Sequence, residues 1–277
     1  MAVTAADVKN LRDRTNLPMM DCKAALTEVG GDMEKAVDLL RKKFANATAK
    51  FAAREAAEGR IAVFIDPVKK VGAILEMRCE TAPVVKSDAF VAMANDLVKH
   101  IAEKNPADVA TLLTQEISAG KTVQDRISEV IGLIRENMKP ERFKRVEGDM
   151  GEYIHHDGSV GVLLQVSGPG DKAVLRDISM HIAARSPLAA LREEVPAELI
   201  AKETEIAKDQ LANDAKNKNK PANIMEMILE GKLKTWFAEN VLIDQLFVKD
   251  DSKTIAELFK GMGVSLKGFT RYRVGEK

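Results

Sequence analysis

An α+β fold is what the sequence predicts: a small all-helical unit first, then two α+β segments, then a pair of long polar helices inserted before the last strand. Three observations carry it. Residues 1–45 are dense in start and stop signals for short helices. Two stretches, around 61–79 and 143–166, alternate in side-chain character and are each followed by an apolar stripe of helical period. Residues 196–236 are rich in Glu, Lys and Ala with only a thin apolar set. Strands that pair locally and then give way to helices argue for α+β rather than a doubly wound sheet.

Taken in order, Thr4 and Asp7 form a capping box for a first helix carrying Val8 and Leu11. Pro18 suits the first turn of a second, where a missing N–H costs nothing. Cys22, Ala25, Leu26 and Val29 follow at helical spacing, Gly30-Gly31 supplies a left-handed stop, and Asp32 caps a third helix with Met33, Val37 and Leu40. One shared stripe makes these a compact three-helix unit, residues 1–45. Met19 and Met20 sit at the mouth of the second helix; spacing alone leaves open whether they are core or exposed, adaptable contact residues.

Residues 46–59 are alanine-rich and charged without a strong stripe, which suits a helical or mobile linker. Ile61, Val63 and Ile65, a turn at Asp66-Pro67, and Ala73, Leu75, Met77 and Cys79 predict an antiparallel hairpin. Ser87 caps a helix with Phe90, Ala94, Leu97, Val98 and Ile101 inward, ended by Asn105-Pro106; Thr122 and Asp125 open another with Val123, Ile127, Val130, Ile131 and Ile134. This is a first core subdomain, 60–141. Strand pattern returns at 143–147, 153–155 and 160–166 with a hairpin signal at Asp157-Gly158, and a helix with Val174, Ile178 and Ile182 closes at Ser186-Pro187. The repeated order predicts a similar second subdomain, 142–187 with 237–277.

Between its parts, two helices in 188–236 joined across 217–221 read as an antiparallel coiled-coil hairpin projecting from the body, with packing onto the core as the other reading. Thereafter 242–248 looks extended, Ser252 caps a short helix with Ile255, Leu258 and Phe259, and 268–274 forms a last strand.

Lys and Arg together number 42, as do Asp and Glu, so no net field draws the chain onto nucleic acid or membrane. The expectation is action on another protein, with no direct nucleic-acid partner. The two cysteines, Cys22 and Cys79, fit no zinc spacing and read as reduced thiols of a cytoplasmic protein. No apolar run reaches the ~18 residues of a membrane helix, and the start lacks a signal-peptide apolar region.

Catalytic machinery is not in evidence: no Ser or Cys has a recognisable base partner, and the glycines at 168–170 and 261–263 lack the lysine of a phosphate loop. His155-His156-Asp157 is the one metal-like cluster, but adjacent strand residues point to opposite faces, so no metal and no cofactor is expected. His100 and His181 read as satisfied structural histidines, and the lysines of 216–220 as a solvated loop tip.

The run Leu11-Arg12-Asp13-Arg14-Thr15-Asn16, then Met19-Met20-Asp21-Cys22-Lys23-Ala24-Ala25-Leu26, then Gly31-Asp32 and Ala36, resembles the amino-terminal ubiquitin-associated-like domain of the elongation factor Ts family. Further likeness at 72–81, 95–97, 180–184, 230–237, 245–248 and 268–269 extends the resemblance over nearly the whole chain. It implies a guanine nucleotide exchange factor for elongation factor Tu, acting by binding and not as an enzyme; a homodimer or a heterotetramer with the GTPase would be compatible with it. It implies that Arg12, Met19 and Met20 grip a helix of the GTPase, that the loop after the hairpin dislodges magnesium, and that a histidine after the tyrosine strand, His155 or His156, meets another domain of the partner. A carboxy-terminal helix that some members carry is not expected here, since the sequence stops at Gly275-Glu276-Lys277.

The loop departs from the family pattern. Where the motif is Thr-Asp-Phe-Val, this chain has Thr81-Ala82-Pro83-Val84, a smaller and uncharged wedge. Exchange is expected to survive, carried more by the methionine grip and the second subdomain, with Pro83 as a stiff apolar knob; a plain strand-to-helix turn is the other reading. The alternative for the whole chain is an adaptor or chaperone whose helical domain binds protein without exchange activity.

Overall fold

The computed structural model describes residues 3–15, 17–214 and 220–276, with the backbone but not the side chains of 44–49. Asn16 and most of the predicted helix-to-helix turn, residues 215–219, lie outside the described residues. Two compact units are present, one bounded as 1–146, 154–161 and 272–277, the other as 147–153 and 162–271.

In the first unit, α1 (Ala5–Thr15), α2 (Met19–Glu28) and α3 (Met33–Phe51) follow their start signals. The capping box forms: Asp7 donates its amide to Thr4 Oγ1 at 3.2 Å and accepts the Thr4 amide at 3.0 Å. The Thr4 hydroxyl, donating to Asp7 Oδ2 at 2.7 Å, and then the Thr4 amide hold the Asp7 carboxyl below its usual range. Pro18 stands just ahead of α2, one position earlier than expected. Gly31, at φ 91°, returns its amide to Leu26 O at 2.8 Å and closes α2. Val8, Leu11, Leu17, Cys22, Ala25, Leu26, Ala36 and Leu40 form the shared core. The helical form of the predicted linker is the one realised as far as Phe51, because α3 runs through it.

Strands β1 (Glu58–Asp66) and β2 (Val71–Cys79) pair antiparallel from Glu58↔Cys79 to Asp66↔Val71. Asp66 Oδ1 accepts the amides of Val68 and Lys69, both at 2.9 Å, which fixes the turn. Helix α5 (Asp88–Lys104) covers the sheet with Phe90, Met93, Ala94, Leu97 and Ile101, its first turn capped by Ser87 as expected. Four short elements escaped the sequence reading here: α4 (Ala82–Val85), and α6 (Val109–Thr114) with the ribbon of β3 (Glu116–Ser118) and β4 (Lys121–Thr122). Helix α7 (Val123–Ile134) opens on the predicted Thr122–Asp125 box, with Ile134 only half-buried.

One strand belongs elsewhere than its order suggested. β5 (Met138–Glu147), which contains the strand assigned to the second subdomain, completes the first sheet in the order β1-β2-β5. Strand pairing is non-local, and alternation carries no record of the partner.

Helix α7 ends on Arg135 in the left-handed region, φ 66° and ψ 33°, where a side chain costs about 1–2 kcal/mol. Its exposed ion pair with Asp21, at 3.4 Å, recovers less than about 1 kcal/mol. Arg135→Gly is therefore expected to raise stability by about 0.5–1 kcal/mol in urea denaturation. A loss of stability would show that the ion pair outweighs the backbone strain.

In the second unit, β6 (Asp149–Ile154), β7 (Val160–Ser167) and β10 (Ser265–Arg273) form a sheet in the order β10-β7-β6. Helix α8 (Lys172–Arg185) brings Leu175, Ile178 and Ile182 against Val162, Leu164 and Val166. Gly151 is required there: a Cβ would stand 2.7 Å from Leu175 Cβ. His181 is buried, its Nδ1 accepting the Val248 amide at 3.2 Å and its Nε2 facing Gln245 Oε1 at 2.8 Å. That pattern fixes a neutral, Nε2-protonated ring, and burial lowers its pKa.

Helices α9 (Ala197–Asn213) and α10 (Ala222–Asn240) make the predicted helical pair. Its seam is thin: Ala207 and Leu211 are buried, Ile206 is exposed, and α10, which continues past Trp236, buries no residue fully. The stretch read as extended is a 3-10 turn at Leu242–Asp244 followed by β8 (Leu246–Phe247). Ser252 does not cap the next helix. It lies in β9 (Asp250–Thr254), and α11 (Ile255–Met262) starts from a Thr254–Glu257 capping box instead. A glutamate three residues on makes Thr254 the stronger cap.

Candidate partner-docking surface

Helix α2 spends its inward stripe on Cys22, Ala25 and Leu26, which leaves its first turn facing out. Met19 is 47% and Met20 74% exposed, so the core reading of the pair is set aside. Arg12 is exposed on α1, near enough to α2 for its charge to act on the Cys22 thiol. Burial dominates at both cysteines, raising Cys22 and pushing Cys79 up to about 12, so neither thiol offers a nucleophile near neutral pH.

The loop after the hairpin is held from both sides. Thr81 donates its amide and its hydroxyl to the two oxygens of Glu136, at 3.0 and 2.7 Å, and Cys79 Sγ lies 3.5 Å from its carbonyl. Behind it, Val84 and Val85 enter the core. Of the four loop residues expected to meet a partner, Thr81, Ala82 and Pro83 are exposed, while Val84 is buried. Pro83 sits in the first turn of α4, where its fixed φ suits the helix.

The carboxy-terminal end of α7 joins these two features. Arg135 binds Asp21, the residue after Met20, and Glu136 clamps Thr81. Leu133 is 42% exposed at the same end of α7. Sequence reasoning missed Leu133, although an apolar residue left off the buried stripe of α7 was a usable signal. Met19, Met20, Leu133, Ala82 and Pro83 are thus exposed on α2, α7 and α4, and the Arg135–Asp21 ion pair and the Thr81–Glu136 hydrogen bonds tie α2 and α4 to the end of α7. Soft, unbranched methionines and a rigid proline suit contact with another protein.

The histidines lie elsewhere in the same unit. β6 ends at Ile154, so His155 and His156 stand past the strand, in the turn before β7, with ring centroids 4.4 Å apart. They do not point to opposite faces, which corrects the reason given for dismissing them as a pair. His156 is exposed and His155 half-buried. His100 is a structural histidine, its Nε2 2.9 Å from Gln115 Oε1.

Among the described residues no helix is long and apolar enough to cross a membrane. A family model described as Elongation factor TS matches residues 80–276. Elongation factor Ts of Polynucleobacter asymbioticus is 43% identical over 277 residues, covering 99% of this chain and 91% of that protein. That of Ralstonia nicotianae is 44% identical over 275 residues, covering 99% and 91%. That of Thiobacillus denitrificans is 42% identical over 276 residues, covering 99% and 92%.

Proposed function

Because the chain belongs to the elongation factor Ts family, and so serves translation elongation, we propose that it is a guanine nucleotide exchange factor for elongation factor Tu. It binds the GDP-loaded GTPase, displaces the partner's magnesium and speeds GDP release, so that GTP reloads. The observation that carries this reading is the tie, through the end of α7, between the exposed methionine pair and the Thr81–Pro83 loop. Grip and wedge are then both tied to one helix end.

Such a task needs no reactive side chain. Nanomolar nucleotide binding corresponds to about 12 kcal/mol, and a thousandfold faster release requires offsetting about 4 kcal/mol of it. An exchange factor supplies that by binding the partner's nucleotide-poor shape better than its loaded one, and by reciprocity nucleotide weakens the exchange factor's own hold. In this reading Arg12, Met19 and Met20 grip, Ala82 and Pro83 press towards the magnesium side, and His155 or His156 meets a second domain of the partner. The modular division into residues 1–45, a first core subdomain from residue 60 that takes in β5, the later subdomain and the hairpin 188–236 belongs to the same proposal.

Labelled GDP release from purified elongation factor Tu tests it. The expected result is acceleration of about a thousandfold at saturating chain; release at the intrinsic rate in the presence of the folded chain would overturn the reading. The double change Ala82→Asp with Pro83→Phe is expected to speed release further, because it enlarges and charges the wedge. An unchanged rate would mean that the loop does not act on the partner's magnesium.

A further inference from the structure

We propose that the turn His155-His156-Asp157 is a binding site for a borderline divalent transition cation, of the zinc, nickel or copper class. One ligand atom from each of the three side chains, two imidazole nitrogens and a carboxylate oxygen, lies within 4.8 Å of the others. A tetrahedral set on zinc–nitrogen bonds of about 2.0 Å needs donors about 3.3 Å apart, so the widest separation the cluster allows would have to close by about 1.5 Å. Three protein ligands leave the fourth position to water. Two imidazoles select against magnesium and calcium, which take oxygen sets.

The backbone beneath the ligands is already fixed. The His155 amide donates to Val160 O at 2.9 Å, and the Gly158 amide returns to His155 O at 2.8 Å. Neighbouring strands pin the turn from outside: Ile61 N donates to Gly158 O at 2.8 Å, and Val274 N to Ser159 O at 2.9 Å. Gly158 holds φ 78°, and a Cβ there would stand 3.2 Å from Arg60 Cβ, so a larger residue would be strained and crowded in the turn. Asp157 Oδ1 accepts the Ser159 amide at 2.8 Å, which orients the carboxylate. A carboxylate oxygen has more than one lone pair, so that bond leaves room for an ion. A pinned turn with an oriented ligand lowers the ordering cost of capturing an ion. The buried thiols of Cys22 and Cys79 do not compete.

Calorimetric titration of the full chain with zinc, and separately with magnesium, tests the site without reference to any partner protein. Expected are one saturable equivalent of zinc and none of magnesium. His156→Ala removes an exposed ring and is expected to weaken zinc by about tenfold or more. Asp157→Asn keeps the Ser159 bond and with it the turn, and is expected to weaken zinc similarly; circular dichroism confirms the fold of both. Absence of saturable zinc binding to the unmodified chain, or an unchanged isotherm in either folded variant, overturns the proposal.

Discussion

Replacing Glu76 with alanine is expected to cost about 3–5 kcal/mol of stability, the range seen when one partner of a buried ion pair is removed. Glu76 is 1% exposed and holds three donors: Arg78 Nη1 at 2.9 Å and the Gly275 amide at 3.0 Å on Oε1, and Arg142 Nε at 2.8 Å on Oε2. Without it, the guanidinium groups of Arg78, 13% exposed, and Arg142, 29% exposed, lose their buried counter-charge. Arg142 also stacks 4.4 Å from the Tyr272 ring and reaches the Arg273 carbonyl at 3.3 Å, so the same loss frees residues 272–275 from the first sheet. Glu76→Gln keeps the volume and part of the bonding and should cost less than alanine. Urea denaturation measures both, and proteolysis reads the loosened segment. An alanine variant within about 1 kcal/mol of the unmodified chain would mean that solvent reaches this cluster and screens it.

The double change Met19→Ala with Met20→Ala should leave the fold intact and remove most of the exchange activity. Both side chains are exposed in the free chain, so their truncation should change stability by no more than about 0.5 kcal/mol. At a buried contact each is worth about 1–2 kcal/mol, and together the pair should lower kcat/KM for GDP release by about 30- to 900-fold. Exchange rates measured against chain concentration, below saturation, give the number. Unchanged kcat/KM in a variant that melts normally would remove the methionines from the interface.

Much of this architecture was legible because its signals are local. The Thr4–Asp7 and Thr122–Asp125 boxes, the Ser87 cap, the left-handed stop at Gly30-Gly31 and the helix ends before Pro106 and Pro187 each depend on residues within a turn of one another, and all appear as read; that Asn105 and Ser186 take up the left-handed conformation themselves was not read. What was missed depends on distance. The sheet that β5 joins is decided by β2, and Val84 turns inward because a core waits beneath it. Met19 and Met20 belong to the first turn of α2, before any stripe is established, so period alone cannot assign their face. His155 and His156 were placed on a strand that stops one residue earlier. Thr254 is a different kind of miss, since its Glu257 partner was present in the sequence and was passed over for Ser252.

The bond from Gly275 to Glu76 spans 199 residues. At a synthesis rate of about 5–20 residues per second, the carboxylate emerges from the ribosome roughly 10–40 s before its last donor is made. Throughout that interval the first sheet lacks its clasp, and sealing it awaits the synthesis of Gly275.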